Sequence, residues 1–90
     1  MGKMERTTQA MILDAIRAER QRQDDKWGEQ NHSPADWLAI LGEEVGEANK
    51  AYVEWKFNQG PAADLETELV QVAAVAVSIL ESMKRNGYLP

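Results

Sequence analysis

The sequence predicts an all-α fold, with three main helices per chain assembled into an oligomeric helical bundle. Three observations carry that expectation. Only three prolines and six glycines interrupt ninety residues. No stretch alternates apolar and polar residues for long, as a half-buried strand would. Apolar residues instead recur at helical spacing in three segments separated by turn signals. The length allows one domain, residues 1–90, near the lower end of what folds alone.

The first helix is expected from about Thr8 to the low twenties. Thr7 or Thr8 caps it, and Met11, Ile12, Ala15 and Ile16 form its buried stripe. The run from Glu19 to Lys26 is charged on every side. It is either a solvated helix end or a segment that meets a ligand.

The second helix has a clear start. Ser33 accepts from the amide near Asp36, and Pro34 takes the first helical position, where a missing donor costs nothing. It runs to about Phe57, because Asn58-Gln-Gly-Pro61 reads as a turn. The third runs from about Ala62 to Arg85, and Asn86-Gly87 is a left-handed helix stop.

Assembly is expected from the third helix. Its apolar side chains, among them Leu65, Leu69, Val77, Ile79, Leu80 and Met83, cover roughly half the circumference at about 100° per residue. One core needs a narrower stripe. Leaving four or five such side chains in water forgoes about 1.5–3 kcal/mol each, comparable to a domain's whole stability. A homodimer or homotetramer resolves this.

Composition excludes several classes. A net charge of −5 lacks the basic stripe that a nucleic acid polymer requires. No cysteine is present, so there is neither a disulfide nor a thiolate metal site. No apolar leader or membrane span is visible: the longest apolar stretch, Leu69 to Leu80, is short and contains Gln71 and Ser78. The default expectation is a cytoplasmic protein without a membrane partner. A single histidine, His32, rules out the paired Glu-x-x-His pattern of di-iron bundles, and no glycine-rich phosphate loop occurs.

The acids are focused. On a wheel of the second helix, Trp37, Leu38, Ile40, Leu41, Val45, Ala48, Tyr52 and Trp55 fall within about 160°. Glu44 lies inside that arc, Glu47 at its edge and Glu43 a little farther round. A carboxylate among apolar residues needs compensation. Glu43 and Glu47 are also one turn apart, where like charges repel.

On the third helix Asp64, Thr67, Glu68, Gln71, Ser78 and Ser82 form a polar stripe interrupted by Val75. Either it faces solvent, or Glu68 and Gln71 face Glu44 and Glu47 across a hydrophilic seam. Oxygens one turn apart on two facing helices suit a hard cation. Gly42 and Gly46, with Ala39, make a smooth strip that favours close helix packing.

Three stretches together resemble a known family: Lys26-Trp-Gly-Glu-Gln-Asn-His32, Trp37-Leu-Ala-Ile-Leu-Gly-Glu-Glu-Val-Gly-Glu-Ala48, and Glu68-Leu-Val-Gln-Val-Ala-Ala-Val-Ala-Val77. They are similar to the MazG-like all-α nucleoside triphosphate pyrophosphohydrolases, above all to the short single-domain bacterial and phage type. The likeness spans about Arg17 to Glu81. It implies magnesium-dependent hydrolysis of a nucleoside triphosphate to monophosphate and pyrophosphate by a helical dimer or tetramer.

Carried over, Glu44, Glu47 and Glu68 match metal ligands, and Glu43 matches the first acid of the motif. Glu43 or Glu47 positions the attacking water. Gln71 stands where the family has an aspartate, so the site loses one charge, which Asp64 one turn before Glu68 restores in part. Trp27 lies where related proteins place an aromatic beside the base, and Trp37 and Trp55 are further candidates on the arc of Glu44. The alternative is a non-catalytic helical oligomer whose degraded site binds a nucleotide or a protein partner.

Overall fold

Thr7 and Ser33 set the starts of the first two helices as their sequence positions demand. Thr7 Oγ1 accepts from the Ala10 amide at 3.0 Å, and Ser33 Oγ from the Asp36 amide at 3.2 Å. A computed structural model describes residues 6–90, which form α1 (Thr8–Trp27), α2 (Pro34–Phe57) and α3 (Ala62–Arg85). No strand occurs among the described residues, and none of the helices is long and apolar enough to cross a membrane.

The end of α3 is a Schellman stop. Gly87 adopts φ 80°, and the Tyr88 amide reaches back to the Met83 carbonyl at 2.9 Å. The first helix runs farther than the low twenties, to Trp27. Within its charged run Arg22 pairs with Glu19, Arg20 with Asp24, and Gln21 donates to Asp25. These one-turn pairs support a helix that apolar periodicity does not mark. Gly28, at φ 71°, ends it.

Both α1 and α2 pack on α3, and neither packs on the other. The small core lies between α2 and α3: Trp37, Val75 and Ile79 are buried, with Ile40, Leu41 and Met83 partly buried against them. The stripe of Met11, Ile12, Ala15 and Ile16, expected to be buried, is not. Only Ile16 is half-covered, and α1 has no buried residue. The physical reason is the topology: α1 finds one neighbour helix, so most of its apolar face has nothing to cover it.

Two sets of contacts fix the frame. Arg20 of α1 donates through Nε to Glu81 Oε1 of α3 at 2.7 Å and through Nη2 to Asp24 at 2.9 Å. At the far end, Arg85 Nη2 donates to the Gln30 carbonyl at 3.0 Å, and Asn86 Nδ2 to Asn31 Oδ1 at 2.9 Å. The α1–α2 loop is thereby held on the end of α3. His32 in that loop meets Trp37 edge to face, with ring centroids 4.8 Å apart.

Candidate functional site

Because α1 and α2 flank α3 without touching, a cleft runs between them with α3 as its floor. One end is polar, about 230 Å³, lined by Glu19, Arg22, Gln23, Lys26 and Trp27 of α1, Glu44 of α2 and Gln71 of α3. The adjoining end is apolar, about 260 Å³, with Trp37, Ile40 and Val75 as walls and Gln30 and Ser78 at its margin. Gln23, Trp27 and Glu44 line both ends. The Val75 that interrupts the polar stripe of α3 belongs to the core and floors the apolar end.

Glu44 is the electrostatic centre. Its carboxyl is pushed above its ordinary pKa first by burial and then by Glu68, Glu47, Glu19 and Glu43. Acids from all three helices therefore act on one half-buried group. Glu47 and Glu68 line a neighbouring depression of about 240 Å³ between α2 and α3, together with Lys50, Glu54, Asp64 and Thr67. Asp64 is thus placed beside Glu68 and Glu47, as its spacing from Glu68 suggested. Glu43 is exposed.

Among the described residues, no three acidic or histidine side chains are gathered tightly enough to hold a metal ion. Glu44 and Gln71 line one hollow, while Glu47 and Glu68 line the next. The donors are hard oxygens, the ligand type magnesium prefers, and neighbouring carboxylates oppose the charge on Glu44.

The three tryptophans part company. Trp27 lines both ends of the cleft and is 61% exposed, with Lys26 Nζ 4.8 Å from the centre of its ring. Trp37 is 2% exposed and belongs to the core, yet it also forms a wall of the apolar end. Its indole N–H has no hydrogen-bond partner. Trp55 does not join the cleft: it packs edge to face on Tyr52 at 6.1 Å and lines a separate apolar groove beside α1. A wheel of α2 does not separate Trp37 from Trp55, since both lie on one arc at opposite ends of that helix, and Trp27 belongs to α1.

The structure adds Glu19, Arg22, Gln23 and Lys26, which sequence reasoning left open between solvent and ligand. A signal was present, because the four lie at i, i+3, i+4 and i+7, one face of α1, with Trp27 beside it. Glu19 keeps only 13% of its side chain exposed and accepts from Arg22 at 2.6 Å. It brings a carboxylate to the side of the cleft where Gln71 lacks one. No family model, curated protein or solved structure matches this chain.

Proposed function

We propose that the chain is a MazG-like nucleoside triphosphate pyrophosphohydrolase, active as a homodimer or homotetramer with magnesium. The observation that carries this reading is the crowding of Glu44 by Glu68, Glu47 and Glu19, in a cleft that also presents cations and an aromatic ring. Unrelieved carboxylates of this kind belong beside a divalent ion. Glu44, Glu47 and Glu68 would hold it, with the Gln71 carbonyl as a neutral donor. Held there, magnesium would supply neutralising positive charge for the triphosphate and for the pyrophosphate leaving group.

The remaining work falls to the chain itself. Glu43 or Glu47 orients a water toward the α-phosphorus and takes up its proton. Arg22 and Lys26, lining the polar end, draw in the phosphate tail. Trp27 offers a flat apolar face at the junction of the two ends, and the apolar hollow against Trp37, Ile40 and Val75 receives the base.

The test is a panel of nucleoside triphosphates with magnesium, assayed for pyrophosphate release. Release from at least one of them, lost in Glu44→Gln, is the expected result. One observation favours a second reading: Gln71 removes a charge from the motif. Binding of a nucleoside triphosphate without release of pyrophosphate from any member of the panel selects that non-catalytic alternative.

A further inference from the structure

We propose that Arg85, in the last turn of α3, is a positioning residue for the nucleobase. It fixes Gln30 at the apolar end of the cleft, and there the Gln30 amide reads the edge of the base. This inference rests on the hydrolase reading for the place of the base in that hollow.

The loop that joins α1 to α2 is clamped from outside the cleft. Arg85 Nη2 donates to the Gln30 carbonyl at 3.0 Å and to Asn31 Oδ1 at 3.1 Å, while its Nε lies 3.3 Å from Glu29 Oε1. One guanidinium therefore holds three successive loop residues. Asn86 Nδ2, itself held by the Ser82 carbonyl at 2.8 Å, donates to Asn31 Oδ1 at 2.9 Å. Contacts as exposed as these add little stability. Their consequence is geometric: a planar fork with donors in fixed directions sets where the backbone of Gln30 lies.

Gln30 stands where that position matters. It is half-buried and, with Ser78 of α3, separates the apolar hollow from a charged pocket of about 300 Å³ that holds Arg20, Glu81 and Arg85. Ile40 and Val75 wall the hollow and offer a base no hydrogen bond. Gln23, Trp27 and Glu44 also line the polar end, so they stand at the junction with the phosphates. The Gln30 amide and the Ser78 hydroxyl line the hollow without lining the polar end, which puts them at the far edge of the base. An amide presents a donor and an acceptor side by side, the complement of a base edge on which both kinds of group are also adjacent.

The experiment compares KM for the four common nucleoside triphosphates with the inhibition constant of inorganic triphosphate, which carries phosphates and no base. Arg85→Ala is expected to raise KM for the best substrate about tenfold, the scale of one lost hydrogen bond, with kcat changed less. Inorganic triphosphate should inhibit wild type and variant equally, a split that a loosened fold does not produce. Gln30→Ala should give the same split, and the double variant should be no worse than either single one, because both act at one contact. Arg85→Lys, which keeps the charge and loses the fork, should recover part of the affinity. If Arg85→Ala does not fold, Asn31→Ala removes the acceptor shared by Arg85 and Asn86 and should raise KM in the same selective way. An unchanged KM overturns the proposal, as does an equal weakening of inorganic triphosphate. So do effects of Arg85→Ala and Gln30→Ala that multiply. Those outcomes leave the hydrolase reading standing, whereas a wild type that hydrolyses none of the four overturns both.

Discussion

Arg20 on α1 donates to Glu81 on α3 across 2.7 Å, and this bond orients the face of α1 that looks into the cleft. Burial works against the charge on Arg20, but hydrogen bonds to Glu81 and Asp24 outweigh it, and its pKa is raised. Glu19, Arg22 and Gln23 flank Arg20 within one turn, so their position at the cleft depends on where this guanidinium is anchored.

Arg20→Ala is therefore expected to lower stability by about 1–2 kcal/mol, the scale of a charge-assisted hydrogen bond with one half-exposed partner. The larger effect should be on activity, because α1 loses its register against α3. Urea melts and kcat/KM, measured on the same variant, check both. Arg20→Lys, which keeps the charge but not the fork, should fall between the two proteins. A variant with lowered stability and unchanged kcat/KM would free the cleft from dependence on this contact.

Arg22→Ala and Lys26→Ala test the phosphate end. Each removes a cation lining the polar half of the cleft while leaving the core untouched. The expected outcome is a KM about tenfold higher, the equivalent of about 1.4 kcal/mol, with kcat changed less and helical content unchanged. Weaker binding should also be more marked at low salt, where exposed charges are least screened. An unchanged KM in both variants places the phosphates elsewhere.

Much of this was legible in the sequence, and for specific reasons. Ser33-Pro34, Asn58-Gln-Gly-Pro61 and Asn86-Gly87 set helix ends by chemistry local to a few residues, and α2 and α3 begin and end where those signals put them. Glu44 stood out because a carboxylate inside an apolar arc requires an explanation, and it is the acid whose pKa is raised. Glu19 did not, because its neighbours in the cleft, Glu44 and Gln71, lie on other helices. A single helix's periodicity does not report how helices cross. The same limit hid the bareness of Met11 and Ile12: the stripe is real, but a wheel does not reveal how many neighbours a helix will find.

Glu44→Gln gives a prediction in pH. A folded-state pKa above the unfolded value means that the native state binds more protons than the unfolded state between the two. Stability contributed by this group therefore falls as pH rises through that window and stays lost at neutral pH. Replacing the carboxylate by the amide should make the metal-free protein more stable at pH 7 and flatten its acid-side stability profile. Thermal melts from pH 4 to 8 in chelator check the sign. The same substitution should abolish the stabilisation by magnesium, because binding to the folded state alone is what raises the melting temperature. A Glu44→Gln protein that melts lower than wild type in chelator would show that Glu44 stabilises the metal-free fold.

Gln71→Asp reverses the one departure from the acidic motif. Gln71 is half-buried and lines the polar end with Glu44 and Glu19. A new carboxylate there repels both, at about 1 kcal/mol per pair in water-like surroundings and about 4 at a partly buried site for charges near 4 Å. Metal-free stability should therefore fall by at least about 1 kcal/mol. With magnesium the same oxygens become charged ligands, so affinity should rise and the thermal shift on adding the ion should exceed that of the wild type. The two effects have one cause, and they separate this site from a solvated surface position, where the change would be nearly silent with or without metal. Melting curves of both proteins, each with chelator and with magnesium, give the answer. Equal magnesium shifts in the two proteins would remove Gln71 from the metal site.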